Sequence, residues 1–439
     1  MFNIEAIKAA VAAAAKEHGA EGYEIRIESN TSAGAEALKD EINSVTYTRS
    51  GSLSVRCVKN GKSGYASGDL VTPEEAANLV ARAVGAALAV DDVDEVPLFE
   101  GSESYREVEK DTRVLPSADE LKKHTLEMQA KLYAASDKIV DGSQSFTACQ
   151  ASEEAFFNSA GLSLEYSDSI VYHGVSAAIK DGDEAQDDYA MGLIEKEDAD
   201  KVIDRAVSSA LSKLGADAVP SGKYDIVLDS DAMRSLLAAF STVFSAKSAF
   251  LKTTRYAGKE GEKVASDVLT IVDDPFHPEK FGRCPFDGEG VAVYAKNVIE
   301  NGVLKTLLYN RMYAKKLGKE TTGNASGAKN ITPLGLYVAA GELSEEALFE
   351  RLGNGLYITD FQGIHAGANP QSGDFSLQAK GFVIENGKKG APVKNVTVAD
   401  NFFEFLGKVD AVSDKVDFGP VSRFGSPNVL FKGITVSGK

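Results

Sequence analysis

The stretch GNGLYITDFQGIHAGANPQSGDFSLQAKGFVIENGK, residues 353–388, decides the fold of the C-terminal half. It reads as a strand over Gly355–Phe361, a glycine-rich crossing over Gln362–Gly373, a second strand over Phe375–Glu385 and a turn at Asn386-Gly387. Asn-Gly between alternating apolar residues is the strongest short hairpin signal, because both central residues of the tight turn need positive φ. Between the strands stand the polar residues His365, Asn369, Ser372 and Asp374, among glycines that let a backbone approach a ligand closely. Two readings stay open. Either a ligand is held at the crossing, or glycine there solves a backbone problem.

Working outward, the rest of this half is strand-rich. Tyr224–Leu228 reads as a strand, Asp231–Phe240 as a helix whose apolar residues run on to Phe244, and Val264–Val272 as a strand. An irregular stretch, Asp273–Asp287, precedes strands at Val291–Ile299 and Val303–Leu308, joined by Asn301-Gly302. The pentapeptide Val-Ile-Glu-Asn-Gly occurs at 298–302 and again at 383–387. Two copies of one hairpin turn point to a strand-rich sheet or a barrel with related hairpins.

The N-terminal half alternates helices with strands. Residues 2–18 place Ile4, Ile7, Ala10, Val11 and Ala14 at helical spacing, and Tyr23–Glu28 alternates with period two. Strands follow at Val45–Thr48, Leu53–Lys59 and Lys62–Ser67, the last two joined by Asn60-Gly61. Thr72-Pro73-Glu74-Glu75 opens a helix in capping-box form that runs to about Val90, before an acidic connector, Asp91–Glu100, read as solvated chain. Ser117-Ala118-Asp119-Glu120 caps a helix to about Ala135. A meander then covers Ser143–Gln150, Glu153–Asn158, Ser163–Ser169 and Val171–Lys180, with Ala185–Leu193 as a fifth strand and a helix over Glu197–Leu214. Helix–strands–helix twice over predicts an antiparallel sheet with helices on one face. Small, Pro- and Gly-containing residues at Gly215–Gly222 mark the boundary. The expected class is α+β: an N-terminal domain over 1–220 with an antiparallel sheet and flanking helices, and a C-terminal strand-rich, barrel-like domain over 222–439.

Composition narrows the function classes. A chain of 439 residues exceeds what one hydrophobic core usually supports. No apolar run approaches the ~20 residues needed to span a bilayer, so no membrane role is expected. The N-terminus has an apolar core, but Glu5 and the lack of a basic leader favour an amphipathic helix over a signal peptide. Three dispersed cysteines, Cys57, Cys149 and Cys284, fit a reducing cytoplasm. A net charge of −18 argues against direct nucleic-acid binding, which needs a basic footprint.

Assembled chemistry is sparse. The histidines His18, His124, His173, His277 and His365 are scattered, and no two share metal-ligand spacing. HExxH and HExxxH are absent, as are GxGxxG opening a helix, GxxxxGK[ST] and GxSxG. No metal is therefore expected in this chain; were one bound, Asp273, His277 and Cys284 are the residues to inspect first.

Read in order, several motifs together resemble the TldD/PmbA family. They are Asn158-Ser-Ala-Gly-Leu162, Pro285-Phe-Asp-Gly-Glu-Gly290, Val298–Gly302, Tyr309-Asn-Arg-Met-Tyr-Ala-Lys-Lys-Leu-Gly318 with Thr322-Gly-Asn324, Gly353–Thr359, Gly363-Ile-His-Ala-Gly367, Ser372-Gly-Asp-Phe-Ser376, Gly381–Gly387, Pro392-Val393 and Thr397-Val-Ala-Asp-Asn401. The resemblance spans effectively the whole chain. One departure is Asp400, where members usually carry Gly, so the local turn is expected to differ.

The resemblance implies a cytoplasmic zinc metallopeptidase system that trims or degrades unfolded peptides, and it brings the older label, modulator of DNA gyrase. In that family a TldD-type subunit carries an HExxxH helix and a C-terminal Cys ligand, and a PmbA-type (TldE-like) subunit lacks them. Here the corresponding helix, Ser230–Phe250, has no His and no Glu, and Asp417–Arg423 has no Cys, so the match is to the PmbA side. Zinc is then expected only in a TldD-type partner. Three readings remain: a non-catalytic subunit of such a peptidase, a self-associating peptide-binding protein without hydrolysis, or a hydrolase with a different site. Homodimers are expected for the chain alone, through the C-terminal half, and heteromers with a TldD-type partner. The peptide-contacting residues expected at the glycine-rich crossing are His365, Ser372, Asp374 and Ser376, as orienting groups rather than catalysts; the alternative is that Ser372 and Asp374 cap turns.

Overall fold

The computed structural model describes residues 3–91, 96–109, 111, 113–327 and 329–439. Helix α1 (Ile4–Glu17) leads into strands β1 (Gly22–Leu38), β2 (Glu41–Lys59) and β3 (Lys62–Gly68), then helix α2 (Pro73–Ala89). Helix α3 (Ala118–Ala134) precedes β4 (Gln144–Asn158), β5 (Ser163–Asp181), β6 (Glu184–Leu193) and α4 (Ala199–Ser212). The caps read from sequence are in place. Thr72 accepts the amide of Glu75 with Pro73 in the first turn, and Ser117 and Glu120 close a reciprocal capping box.

All six strands form one antiparallel sheet in the order β3-β2-β1-β4-β5-β6, curved into a half-barrel. The strands are longer than expected. Val45–Thr48 and Leu53–Lys59 are one strand; so are Ser143–Gln150 and Glu153–Asn158, and so are Ser163–Ser169 and Val171–Lys180. The expected breaks lie near one another across the sheet: Ser50 pairs with Asn30, Asn30 with Ser152, and Ser152 with Asp168, two residues before the break at Ile170. Helices α1 and α2 cover one end of the sheet, packing Ile7, Val11, Leu79 and Ala83 against Ile25, Ile27, Val55 and Phe157. Helices α3 and α4 cover the other end, against Cys149, Val175, Ala177 and Ile179. Between the helix pairs the strands continue without an apolar cover, so their alternation lapses there while the backbone ladder does not.

Two contacts tie this half together. His173, 1% exposed, donates from Nε2 to the carbonyl of Glu197 at 3.0 Å, which leaves Nδ1 to accept from His124 Nε2 at 2.9 Å. That arrangement needs the His173 ring neutral, because its Nδ1 accepts, and burial holds both imidazoles below their ordinary range. The connector departs from expectation. Residues 92–95 lie outside the described residues, but the chain beyond them is docked: Asn158 Nδ2 and Arg311 Nη2 donate to the carbonyls of Phe99 and Pro97, and Arg311 stacks on the Phe99 ring.

The second half begins with β7 (Gly222–Leu228), α5 (Ser230–Phe240), a single 3-10 turn (Ser241–Phe244) and α6 (Ala246–Phe250). Then come β8 (Ile271–Asp273), β9 (Lys296–Glu300), β10 (Val303–Leu304), α7 (Arg311–Leu317), β11 (Ala325–Ser326), β12 (Asn330–Ile331), β13 (Leu336–Val338) and α8 (Glu345–Leu352). The chain ends with β14 (Gly355–Gln362), α9 (Ile364–Gly367), β15 (Asp374–Glu385), β16 (Lys388–Asn401), α10 (Phe402–Phe405), β17 (Val409–Val412), β18 (Phe424–Gly425) and β19 (Val429–Ser437). Strands β16-β15-β14-β7-β19 close into a five-stranded barrel because β16 also pairs with β19, and β17 extends from β19. A smaller sheet, β10-β9-β8-β13-β18, sits beside it.

The Val-Ile-Glu-Asn-Gly repeats are both hairpin turns. Asn301-Gly302 and Asn386-Gly387 have φ of 48° and 79°, and 50° and 73°, the positive pair that a two-residue turn requires. They lie in different sheets. The strands expected at Val264–Val272, Val291–Ile299 and Val303–Leu308 shrink to Ile271–Asp273, Lys296–Glu300 and Val303–Leu304. There the chain wraps the first turn instead of pairing along it: Val264 and Ala265 donate to the carbonyl of Gly302, whose own amide donates to Leu269. Asp400 lies inside β16 rather than in a turn, with its carboxylate on Lys408 at 2.6 Å.

Candidate functional site

The half-barrel presents two unlike faces. On the face away from the helices, β1 contributes Glu24, Arg26, Glu28 and Asn30, β2 contributes Ser54 and Arg56, and β4 contributes Gln150, Ser152 and Glu154. This polar face looks across a cleft at the second half, whose wall includes Lys280, Cys284, Asp287, Glu289, Thr332 and Arg423. Two hollows of about 490 and 620 Å³ share Arg26, Glu28 and Gly288, so they form one trough between the halves.

The charges in the trough are largely matched. Arg26 lies 2.9 Å from Glu154 and 2.8 Å from Glu28; burial pulls its pKa down, but the two carboxylates outweigh it and hold the guanidinium charged. Glu24 takes Arg56 at 2.9 Å and sits 3.9 Å from Arg311, a strut from β1 to the start of α7. Tyr166 donates to Asp168 at 2.8 Å and accepts the amide of Arg283 at 2.8 Å, a second strut.

Two groups titrate near neutrality. Lys280, 7% exposed, is pulled down to about 8, first by burial and then by Arg423, and its ammonium donates to the carbonyls of Phe281 and Gly282. Glu289 is pushed up to about 8, first by burial and then by Asp287, and accepts the Arg311 amide at 2.9 Å. Asp287 accepts the amides of Glu289, Val291 and Ala325 and so shapes this loop. Cys284 donates to the Phe286 carbonyl at 3.2 Å, and burial pushes its thiol up, away from the thiolate a nucleophile needs. The trough is lined mainly by polar and charged side chains. Among its described residues, no nucleophile is paired with a base.

The residues expected at the glycine-rich crossing lie elsewhere. His365, in α9, and Ser376, in β15, are exposed, and none of the four lines the trough. Ser372 Oγ accepts the amide of Asp374 at 3.2 Å, and Asp374 accepts from Asn401 Nδ2 at 2.8 Å. Asn401, and after it Ser372, holds the Asp374 carboxyl below its usual range. Asn369 and Asn401 knit the same turn, accepting the Gln371 amide and donating to the Ser372 carbonyl. Both Ser372 and Asp374 thus have turn partners.

Asp273, His277 and Cys284 do not converge. Asp273, fully buried, accepts the amides of Leu334 and Gly335 at 2.8 Å, the Asn324 amide at 2.7 Å and Lys296 at 3.3 Å. His277 packs against the rings of Tyr337 and Phe418, which also touch each other. Among the described residues, no three His, Cys, Asp or Glu side chains are placed to hold one metal ion. Over Ser230–Phe250 the interior is aromatic: Phe240 stacks on Phe402 at 4.4 Å and Phe244 on Tyr256 at 5.6 Å. This segment does not fit a zinc ion.

Sequence reasoning missed Lys280, Glu289 and the His124–His173 pair. A signal existed only for Glu289, inside the motif Pro285–Gly290; pairs separated by 49 residues have no local mark.

Family models match three consecutive stretches, described as PmbA/TldA metallopeptidase domain 1 (23–87), central domain (115–214) and C-terminal domain (221–438). The first two share the single half-barrel sheet. A metalloprotease of Methanothermobacter thermautotrophicus is 28% identical over 426 residues, 91% of this chain and 92% of the relative. The metalloprotease PmbA of Escherichia coli O157:H7 is 24% identical over 433 residues, 95% of this chain and 93% of the relative. A Thermotoga maritima structure carrying a DNA gyrase modulator label superposes with a TM-score of 0.89 at 28% identity, covering 99% of this chain and 100% of that one. TldE from Thermococcus kodakarensis superposes at 0.88 with 23% identity and the same coverage, a likeness of fold alone.

Proposed function

The chain belongs to the PmbA/TldD metallopeptidase family, and from that premise we propose that it is a TldE-like subunit of a cytoplasmic peptidase, holding unfolded peptide for a zinc-bearing TldD-type partner without cleaving it. The observation that carries this reading is the aromatic interior of Ser230–Phe250. Zinc catalysis needs ligands on the metal and a base within reach of its water. Here the matching segment offers Phe240 and Phe244, stacked on Phe402 and Tyr256. The polar trough adds support: its carboxylates, guanidinia, hydroxyls and amides suit the main chain of an extended peptide, a sequence-tolerant mode of recognition. Free cysteines, two of them buried, are consistent with work in a reducing cytoplasm.

The test is peptide hydrolysis by the purified chain, alone and mixed with a TldD-type subunit, with and without added zinc. The chain alone is expected to leave an unstructured peptide intact under every condition, and the mixture to cleave it only with zinc. Zinc-dependent cleavage by the chain alone, abolished by chelation, overturns the proposal.

A further inference from the structure

The cations of the trough are not all matched. Arg26, Arg56 and Arg311 each face a carboxylate of the half-barrel, as a chain with 65 acidic and 47 basic residues readily allows. Lys280 and Arg423, on the opposite wall of the 490 Å³ hollow, are different. Lys280 is 7% exposed, and its ammonium donates only to the carbonyls of Phe281, at 3.0 Å, and Gly282. Arg423 is exposed, and its guanidinium donates only to the Thr332 hydroxyl, at 3.3 Å. Among the described residues neither forms an ion pair.

The acids whose charge reaches Lys280 are engaged elsewhere. Asp273 is held by the Leu334 and Gly335 amides, Asn324 and Lys296, and Asp168 takes Tyr166 and faces Arg113 at 3.6 Å. Arg423 and the exposed Arg283 add positive charge, and burial followed by Arg423 pulls Lys280 down to about 8. A buried charge without an opposite partner is costly, so this corner favours an anion. The fold also fixes both cations. A Cβ at Gly335 would lie 3.0 Å from Lys280 Cδ and 2.0 Å from the Asp274 carbonyl, so glycine leaves room for the lysine stem. The Arg423 carbonyl accepts the Leu336 amide at 3.0 Å, where β18 adjoins β13. An ammonium has three protons and a guanidinium five, so donors remain on both after these bonds. A carboxylate suits such a pair, because its two oxygens can take parallel N–H bonds from arginine and a further bond from lysine.

We propose that Lys280 and Arg423 bind a carboxylate of the peptide held in the trough, supplied by its C-terminus or by an acidic side chain. This rests on the reading of the trough as a peptide-holding site. Elsewhere in the trough the charges are matched internally and suit a neutral main chain; here the charge of the peptide is read.

The test measures binding to the full chain by fluorescence anisotropy. The probe is an unstructured peptide of Ala, Ser and Asn carrying an uncharged dye at its N-terminus. It is made as the C-terminal acid, as the C-terminal amide, and as the amide with one internal Asp. The acid is expected to bind about tenfold tighter than the neutral amide, the value of a charge-assisted hydrogen bond. Recovery of that gain by the internal Asp identifies a side-chain carboxylate as a source; a gain confined to the acid identifies the C-terminus. Arg423→Gln and Lys280→Met are each expected to abolish the preference, so that all three peptides bind alike. Both are expected to keep the melting curve, since Arg423 is exposed and Met replaces the lysine stem without a buried charge. If Lys280→Met does not fold, Arg423→Gln decides. Equal affinity of wild type for the three peptides overturns the carboxylate site and leaves the peptide-holding role of the trough standing, as does a preference that survives Arg423→Gln. Failure of all three peptides to bind overturns both.

Discussion

The half-barrel and the barrel are built from strands of similar composition yet leave opposite surfaces. In the barrel, β16 closes on β19, so the ring has no free edge, and its interior is filled by stacked rings such as Phe405 on Phe431 at 3.9 Å. In the half-barrel, helices cover one face only, and the other face is a polar wall with an open edge at β2. Closure pairs the two edge strands with each other over Thr397–Ala399 and Thr435–Ser437 and leaves less edge to offer a ligand. An open sheet must meet something else, so binding is expected there.

Four measurements strain this contrast. The largest effect is expected from Phe240→Ala, which removes a ring stacked on Phe402 in the fully buried core of the second half. A loss of about 3–5 kcal/mol is expected by denaturant unfolding, as for large aromatic-to-alanine changes in cores. A loss below about 1 kcal/mol would mean the segment is loosely packed and open to other roles.

Glu289→Gln probes the trough. Burial raises the folded carboxyl from 4.5 to about 8, so the folded chain keeps a proton that the unfolded chain releases near pH 4.5. Stability from this group is therefore full below that pH and falls as pH rises toward 8. The variant is expected to match wild type near pH 4.5 and to exceed it by about 1–3 kcal/mol at pH 7. Parallel pH profiles would show that Glu289 is ionised in the fold.

The histidine pair gives a smaller effect of opposite slope. His124 and His173 titrate below 6.5 when folded and near it when unfolded, so their contribution is complete above pH 6.5 and is lost as pH falls through it. His173→Phe is expected to flatten the acid limb of the stability curve between pH 6.5 and 5. An unaltered limb assigns acid sensitivity to other groups.

The smallest effect belongs to the exposed turn. Asp374→Ala removes the acceptor for the Asn401 amide, and a slightly lower Tm with unchanged peptide affinity is expected, measured on the complex with a TldD-type partner if one exists. Weaker peptide binding at unchanged Tm would restore the glycine-rich crossing as a contact site.

Much of the frame was legible, and the misses have a common origin. The caps at Thr72 and Ser117 and the hairpins at Asn60-Gly61, Asn301-Gly302 and Asn386-Gly387 were all read from residues within four positions of one another. The continuity of β2, β4 and β5 was not, because the lapse in alternation near Gly51, Ser152 and Ser169 reflects where distant helices stop covering the sheet. The candidate site followed the same rule. Polar residues among glycines drew attention to 362–376, whereas Lys280 and Glu289 acquire unusual titration only when the fold buries them.

The sequence by itself determined the α+β class, the turns and caps, and the lack of zinc-ligand spacing over Ser230–Phe250. Those depend on backbone torsions and on residue types at fixed short separations. Only the tertiary structure decided that six strands make one sheet, that its polar face meets Lys280 and Glu289 across a trough, and that β2 is left with an open edge. Burial and strand partnership are relations between residues far apart in the chain, and no local torsional preference encodes which distant segment will cover a given face.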